Sequence, residues 1–174
     1  SYRLRPGDNE PFIVVGFQNN KDGYSNIKQQ ARQFNVIFHT LVSRLNFNNF
    51  KAIGHSNGGL IYTVFLENYF DQYSNDVRMT KLMTIGSPFN FNERSIDNKT
   101  QMLSDFIKNR NKLPNNLSVY SVAGTKNYTS DGLVPLVSVA AGRYVFQGAV
   151  RHFTTITVSG SNAQHSDLPE NKHS

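Results

Sequence analysis

The sequence predicts an α/β fold, a mostly parallel sheet with crossover helices, and three observations point there. Short apolar runs alternate with longer stretches of helical periodicity along nearly the whole chain. The first run, Phe12-Ile13-Val14-Val15-Gly16-Phe17, is apolar at almost every position instead of every second one, as in a strand buried on both faces. A glycine-flanked serine also stands where another such run gives way to a helix.

The elements follow in order. After the first strand comes a polar loop, Gln18 to Tyr24, with Ser25 as the expected N-cap. Ile27, Ala31, Phe34, Ile37, Phe38, Leu41, Val42 and Leu45 then recur at helical spacing. Phe50-Lys51-Ala52-Ile53 is a short strand that runs into Gly54-His55-Ser56-Asn57-Gly58-Gly59. Leu60, Ile61, Val64, Phe65 and Tyr69 mark an amphipathic helix. A third strand, Lys81 to Ile85, ends at Gly86-Ser87-Pro88.

Residues 89–116 are polar and irregular around one helical pattern, Met102, Leu103, Phe106 and Ile107, stopped by Pro114. With Phe89 and Phe91, that segment reads as a lid or pocket-wall insertion, or as an ordinary surface excursion with one packed helix. Leu117 to Ala123 is a fourth strand, followed by a loop that carries Asp131. Pro135 to Ala141 reads as a short helix, with proline near its start and Gly142 past its end. Phe153 to Val158 is the last strand, and the loop beyond it carries His165.

A chain of 174 residues is one domain's worth, long enough for a core of its own. The absence of cysteine excludes disulfides, thiolate chemistry and Cys-based zinc sites. The net charge of +6 is spread without a basic cluster, so it reads as a solvated basic surface and not as a nucleic-acid footprint. No run approaches the roughly 20 apolar residues of a membrane span. The opening Ser1-Tyr2-Arg3-Leu4-Arg5-Pro6 is polar, so no leader peptide stands in this sequence.

The chemistry is concentrated at Gly54-x-Ser56-x-Gly58. A serine that attacks an ester must project from a sharp strand-to-helix turn, where its hydroxyl clears the sheet and the next N–H points at the developing oxyanion. Such a turn is strained and needs small residues on both sides. An incidental serine in a glycine-rich turn would explain the glycines, but not the apolar strand before them and the helix after. Ser56 is therefore the expected nucleophile, and the N–H of Asn57 the expected half of the oxyanion hole.

Serine needs a base to take its proton and a carboxylate to orient that base. In the α/β-hydrolase fold, to which the turn points, the chain order is nucleophile, acid, histidine. Asp131 lies in the loop after the fourth strand, within Thr129-Ser130-Asp131-Gly132, and His165 lies after the last strand. Competing acids are worse placed: Asp97 and Asp105 belong to the irregular segment, Asp76 precedes a strand, and Asp167 is two residues from His165. Among histidines, His39 is in a helix, His55 adjoins the nucleophile, His152 opens a strand and His173 is at the chain end. No cofactor or metal is called for.

At these residues the sequence resembles a family of Gram-positive bacterial α/β-hydrolases, cell-surface hydrolases of unknown function. The resemblance rests on Pro11 to Asn20, Gly54 to Gly59, Ser130-Asp131-Gly132-Leu133-Val134-Pro135 and Gln164-His165-Ser166, segments distributed over nearly the whole chain. It implies a secreted or cell-surface esterase or lipase acting on a small-molecule or lipid ester, in contact with the cell envelope. It also implies the triad Ser56, Asp131 and His165. Members of that family carry an earlier strand ending in a His-Gly loop that supplies the second oxyanion N–H, and Ser1 to Pro11 contains no such segment. The expected fold thus lacks its N-terminal strands, including the oxyanion strand. That strand is expected between the Ile13 and Ile53 strands, from an upstream segment or a second chain. A non-catalytic binding protein on a hydrolase fold is the alternative.

Overall fold

The computed structural model describes residues 10–15, 23–124, 127–129 and 132–159. Among the described residues, seven strands and five helices follow one another: β1 (Phe12–Val15), α1 (Tyr24–Leu45), β2 (Asn49–His55), α2 (Asn57–Asn68), β3 (Arg78–Ile85), α3 (Gln101–Lys108), β4 (Ser118–Gly124), β5 (Asn127–Thr129), β6 (Gly132–Val134), α4 (Leu136–Ala140), α5 (Gly142–Phe146) and β7 (His152–Val158). Single 3₁₀ turns cover Phe70–Tyr73 and Arg110–Lys112. The main sheet has the order β1-β2-β3-β4-β7, every pair parallel, while β5 and β6 form a separate antiparallel pair. The predicted α/β architecture with crossover helices is what the chain adopts.

Alternation along the strands decides which face is covered. Ile13, Phe50, Ala52, Leu82 and Val119 share one large core with Ile27, Ala31, Phe34 and Phe38 of α1, most of α2, Met102, Leu103 and Phe106 of α3, and Val145 and Phe146 of α5. Aromatic rings dominate it: Phe38 meets Phe50, Phe65 and Tyr73 with ring centroids 4.8–5.1 Å apart, the offset and edge-on geometries that aromatic quadrupoles favour. The other sheet face carries a smaller cluster of Ile85, Val122 and Val158, flanked by Ile53, Met83 and Ile156. Burial on both faces, expected for the first strand, is therefore not found at β1. Ile13 and Val15 are buried, Val14 is half-buried and Phe12 is exposed, because the described helices pack on a single face.

The sheet of the described residues lacks the N-terminal strands, as expected, and the intervening strand is one expected from outside this sequence. β1 pairs directly with β2, in the register Phe12↔Lys51 to Val15↔Gly54. Backbone groups are satisfied across this pairing. Lys51 N–H donates to Pro11 O at 2.9 Å, and the buried Tyr62 hydroxyl of α2 donates to Ile13 O at 2.7 Å. Glu10, held by Thr80 and by Lys51 at 3.7 Å, fastens the entry to β1.

Three boundaries also differ from the sequence expectation. Gly23, not Ser25, caps α1, at φ 117°, a conformation that suits glycine; Ser25 lies inside the first turn. The helix after Ser56 is not amphipathic: every residue from Gly58 to Glu67 is buried, enclosed by the sheet, α1, α3 and the two 3₁₀ turns. Gly142 does not end a helix but begins α5. A Cβ there would come within 2.9 Å of the Phe89 ring, so the glycine permits close packing.

Residues 89–116 are anchored at Phe89, at Asn90 and along α3. Phe89, Met102 and Leu103 are fully buried. The buried Asn90 side chain accepts from Thr100 N–H and donates to Asn98 O, while its backbone N–H donates to Ser138 Oγ. Thr100 caps α3 by accepting from Leu103 N–H.

Candidate active site

β2 delivers Ser56 to the C-terminal edge of the sheet, where catalytic groups of open α/β folds gather. Ser56 has φ 56° and ψ −120°, one of three non-glycine residues with positive φ among the described residues. Such a backbone costs about 1–3 kcal/mol and persists only where its surroundings enforce it. The enforcing contacts are visible. Ser56 N–H donates to Ile85 O at 2.7 Å, tying the turn to the end of β3. Its carbonyl accepts from Gly59 N–H at 3.2 Å and from the buried Ser87 hydroxyl at 2.7 Å.

The glycines have separate jobs. A Cβ at Gly54 would stand 2.6 Å from the Gly58 carbonyl carbon and the Gly59 nitrogen, so strand and helix backbones could not approach as they do. A Cβ at Gly59 would stand 2.1 Å from Ser87 Oγ. Only Gly58 has ordinary room, with Val15 O at 3.5 Å. Asn57 is the first residue of α2, where helix N–H groups point along the axis toward the turn and the helix dipole favours negative charge. The arrangement presents a half-buried serine on a sharp turn with a helix N-terminus beside it, the layout required of an acyl-transfer nucleophile.

Ser87 was missed in the sequence as a supporting residue. Its signal was Gly86-Ser87-Pro88 directly after a strand, with Gly86 at φ 62°.

Of the other predicted site residues, Asp131 and His165 lie outside the described residues. The flanks of Asp131 are described: β5 and β6 pair from Asn127↔Val134 to Thr129↔Gly132. β7, after which His165 follows in sequence, pairs with β4 up to Gly124↔Val158. His152 is exposed at the opposite end of β7, and His39 is exposed on α1. Among the described residues, two clefts are lined by residues other than Ser56: one between β4, β7, α4 and α5, the other between α1, α2 and α3.

Residues 3–174 match the family described as alpha/beta hydrolase of unknown function (DUF915). Two solved structures are similar over most of the chain. A Lactobacillus plantarum WCFS1 protein, with the provisional description of a cell surface hydrolase, is 52% identical with a TM-score of 0.86, over 98% of this chain and 68% of its own. The lin2722 gene product of Listeria innocua is 27% identical with a TM-score of 0.77, over 90% of this chain and 65% of its own. The chain thus spans about two thirds of the length of either relative. A thermostable carboxyl esterase from Bacillus coagulans shares the fold at 12% identity and a TM-score of 0.54, over 77% of this chain and 64% of its own. No curated protein matches the sequence. The chain belongs to the DUF915 family of alpha/beta hydrolases.

Proposed function

We propose that this family member carries the nucleophile, acid and base of a serine hydrolase that cleaves carboxylic esters through an acyl-enzyme. One observation carries the reading: Ser56 is held at φ 56° between Gly54 and the Gly58-Gly59 pair, on a strand-to-helix turn that Ser87 braces. A strained backbone on a strand-to-helix turn is what a nucleophilic serine requires.

In this proposal Ser56 Oγ attacks the ester carbonyl carbon while His165 takes its proton. The oxyanion is received by Asn57 N–H. Collapse breaks the ester C–O bond, and His165 passes the proton to the departing alkoxide. Water, deprotonated by His165, then releases the acid and regenerates Ser56. Asp131 orients the imidazole and stabilises its charged form. A second oxyanion donor is assigned to a complementing segment outside the described residues or to a second chain. Residues 89–116 serve as a fixed wall of the acyl pocket, since the Asn90 network and buried Phe89 anchor them. The substrate is a small-molecule or lipid ester met at the cell envelope by a secreted or surface-held protein. The provisional description of the Lactobacillus plantarum relative supports that placement.

The direct β1–β2 pairing within this chain is the observation behind one alternative, a binding protein on a hydrolase fold: if no further segment enters the sheet, the second donor is missing. Turnover of p-nitrophenyl esters by the native protein separates the readings. Ser56→Ala, Asp131→Asn and His165→Ala should each lower it by about 10³-fold or more. Turnover unchanged in Ser56→Ala would refute the assignment, and a native protein with no turnover would favour the binding reading.

A further inference from the structure

β4 and β7 run parallel in the register Val119↔Phe153, Ser121↔Thr155 and Ala123↔Thr157, so these residues share one sheet face. At the start of the strands that face belongs to the core: Val119 is fully buried, and the Phe153 ring stacks on Phe146 of α5 with centroids 6.0 Å apart. Further along, the same face turns to hydroxyls. Threonine is ordinary on an outer strand such as β7, but Ser121 stands on the inner strand β4 at 4% exposure. Among the described residues its hydroxyl has no hydrogen-bond partner, a costly state for a buried polar group. Ser121 instead lines a cleft of about 410 Å³ between β4, β7, α4 and α5, within the size range of small-ligand sites. At about 4.8 Å per strand, β4 and β7 lie roughly 10 and 14 Å across the sheet from β2, so the cleft is apart from Ser56.

The walls of the cleft define what it can hold. Among the described residues, Arg143 of α5 is its one charged lining group, and it is exposed. Its guanidinium lies over the Tyr144 ring at 4.8 Å and donates to the Tyr144 hydroxyl at 2.8 Å, which steadies it and leaves further N–H groups free to donate. No carboxylate lines the cleft. Between Phe106 and Ser159 the sequence carries six cations against one acid, Asp131, so the field around the cleft is positive. Thr155 and Thr157 are exposed on the sheet side and add hydroxyl donors beside Ser121. Leu136 of α4, 48% exposed, gives the opposite wall an apolar surface that a ligand can reach, with Val139 behind it.

We infer that the cleft between β4, β7, α4 and α5 binds a small carboxylate with an apolar tail, its oxygens held by the Arg143 fork and the Ser121 and Thr155 hydroxyls, its tail laid against Leu136. Each part of the lining selects. A single cation without a carboxylate beside it repels cations and balances one negative charge, so a multiply charged anion would keep charge uncompensated. The planar fork matches the two oxygens of a carboxylate. The apolar wall rewards a tail that a bare inorganic ion lacks.

Saturation-transfer NMR on the native protein tests this, with hexanoate as the probe and hexylammonium and hexanol, of equal chain length, as controls. Hexanoate should show transfer to its methylenes and bind about tenfold or more tightly than either control. Arg143→Gln, at an exposed position, should weaken binding about tenfold or more, and Arg143→Lys, which keeps the charge without the fork, about threefold. Ser121→Ala should weaken it about threefold to tenfold, as the loss of one hydroxyl donor to a charged group. Thr155→Val, which keeps the shape and removes the hydroxyl, serves as a second variant if Ser121→Ala does not fold. Ser56→Ala should bind hexanoate as wild type does, which separates this site from the hydrolase reading. The inference is overturned if hexanoate shows no transfer, or if hexanol or hexylammonium binds as tightly. It is also overturned if binding survives Arg143→Gln undiminished, or if Ser56→Ala abolishes it, which would place hexanoate at the elbow.

Discussion

At its first turn α2 grows out of a backbone forced to φ 56° at Ser56, and at its last turn the same helix encloses Glu67 at 3% exposure. The Ser56 end is made by near neighbours in sequence: Gly54, Gly58 and Gly59, with Ser87 as the one distant brace. The Glu67 end is made by residues far apart in the chain: Tyr24 and Lys28 from α1, Asp105 from α3, and Arg110 and Lys112 beyond it. A site set by local backbone strain leaves a spacing pattern. A site set by tertiary enclosure leaves only a residue type that looks out of place.

If the elbow is enforced by contact with backbone, the largest stability effect belongs to Gly54→Ala. Its new Cβ meets the Gly58 and Gly59 backbone at 2.6 Å, where nothing flexible can yield. We expect a loss of about 3 kcal/mol or more, a drop in Tm of roughly 6–12 °C, with loss of Ser56 reactivity. An unchanged Tm would show that the turn is not held by that contact.

At the other end, Glu67→Gln should stabilise the protein. The folded carboxyl is raised to about 9 from an ordinary value of 4.5. Between those values the unfolded chain has released a proton that the folded one retains, so stability falls as pH rises through this window. The variant removes that slope. Its advantage should be near zero at pH 4, about 1–3 kcal/mol at pH 7, and greatest near pH 9, read from denaturant midpoints. A variant less stable than wild type at pH 8 would mean that Glu67 is ionised and paired.

The smallest effect is expected at Ser87→Ala. Loss of one buried hydrogen bond to Ser56 O should cost about 1 kcal/mol and slow Ser56 reaction several-fold without abolishing it. No change in the rate would remove Ser87 from the support of the turn.

The same contrast explains what the sequence could and could not reveal. The five expected parallel strands and the helices beginning near Tyr24, Asn57 and Gln101 were legible, because apolar runs and 3.6-residue periodicity act locally. The neighbour of β1 within this chain was not: strand order is a long-range choice, and here Lys51 N–H donates to Pro11 O and the Tyr62 hydroxyl to Ile13 O. The role of Gly142 was misread for the same reason, since its partner, Phe89, lies 53 positions away in the sequence. At the candidate site, the spacing Gly54-x-Ser56-x-Gly58 revealed the nucleophile, whereas Asp131 and His165 were chosen by chain order and lie outside the described residues.

Fluorophosphonate treatment of the native protein, followed by peptide mass spectrometry, tests the central claim most directly, because the reagent modifies only a serine whose hydroxyl is activated. One adduct, located at Ser56 within Gly54–Gly59 and absent from Ser56→Ala, is the predicted result. An adduct at any other serine, or none on a folded protein, would contradict the account.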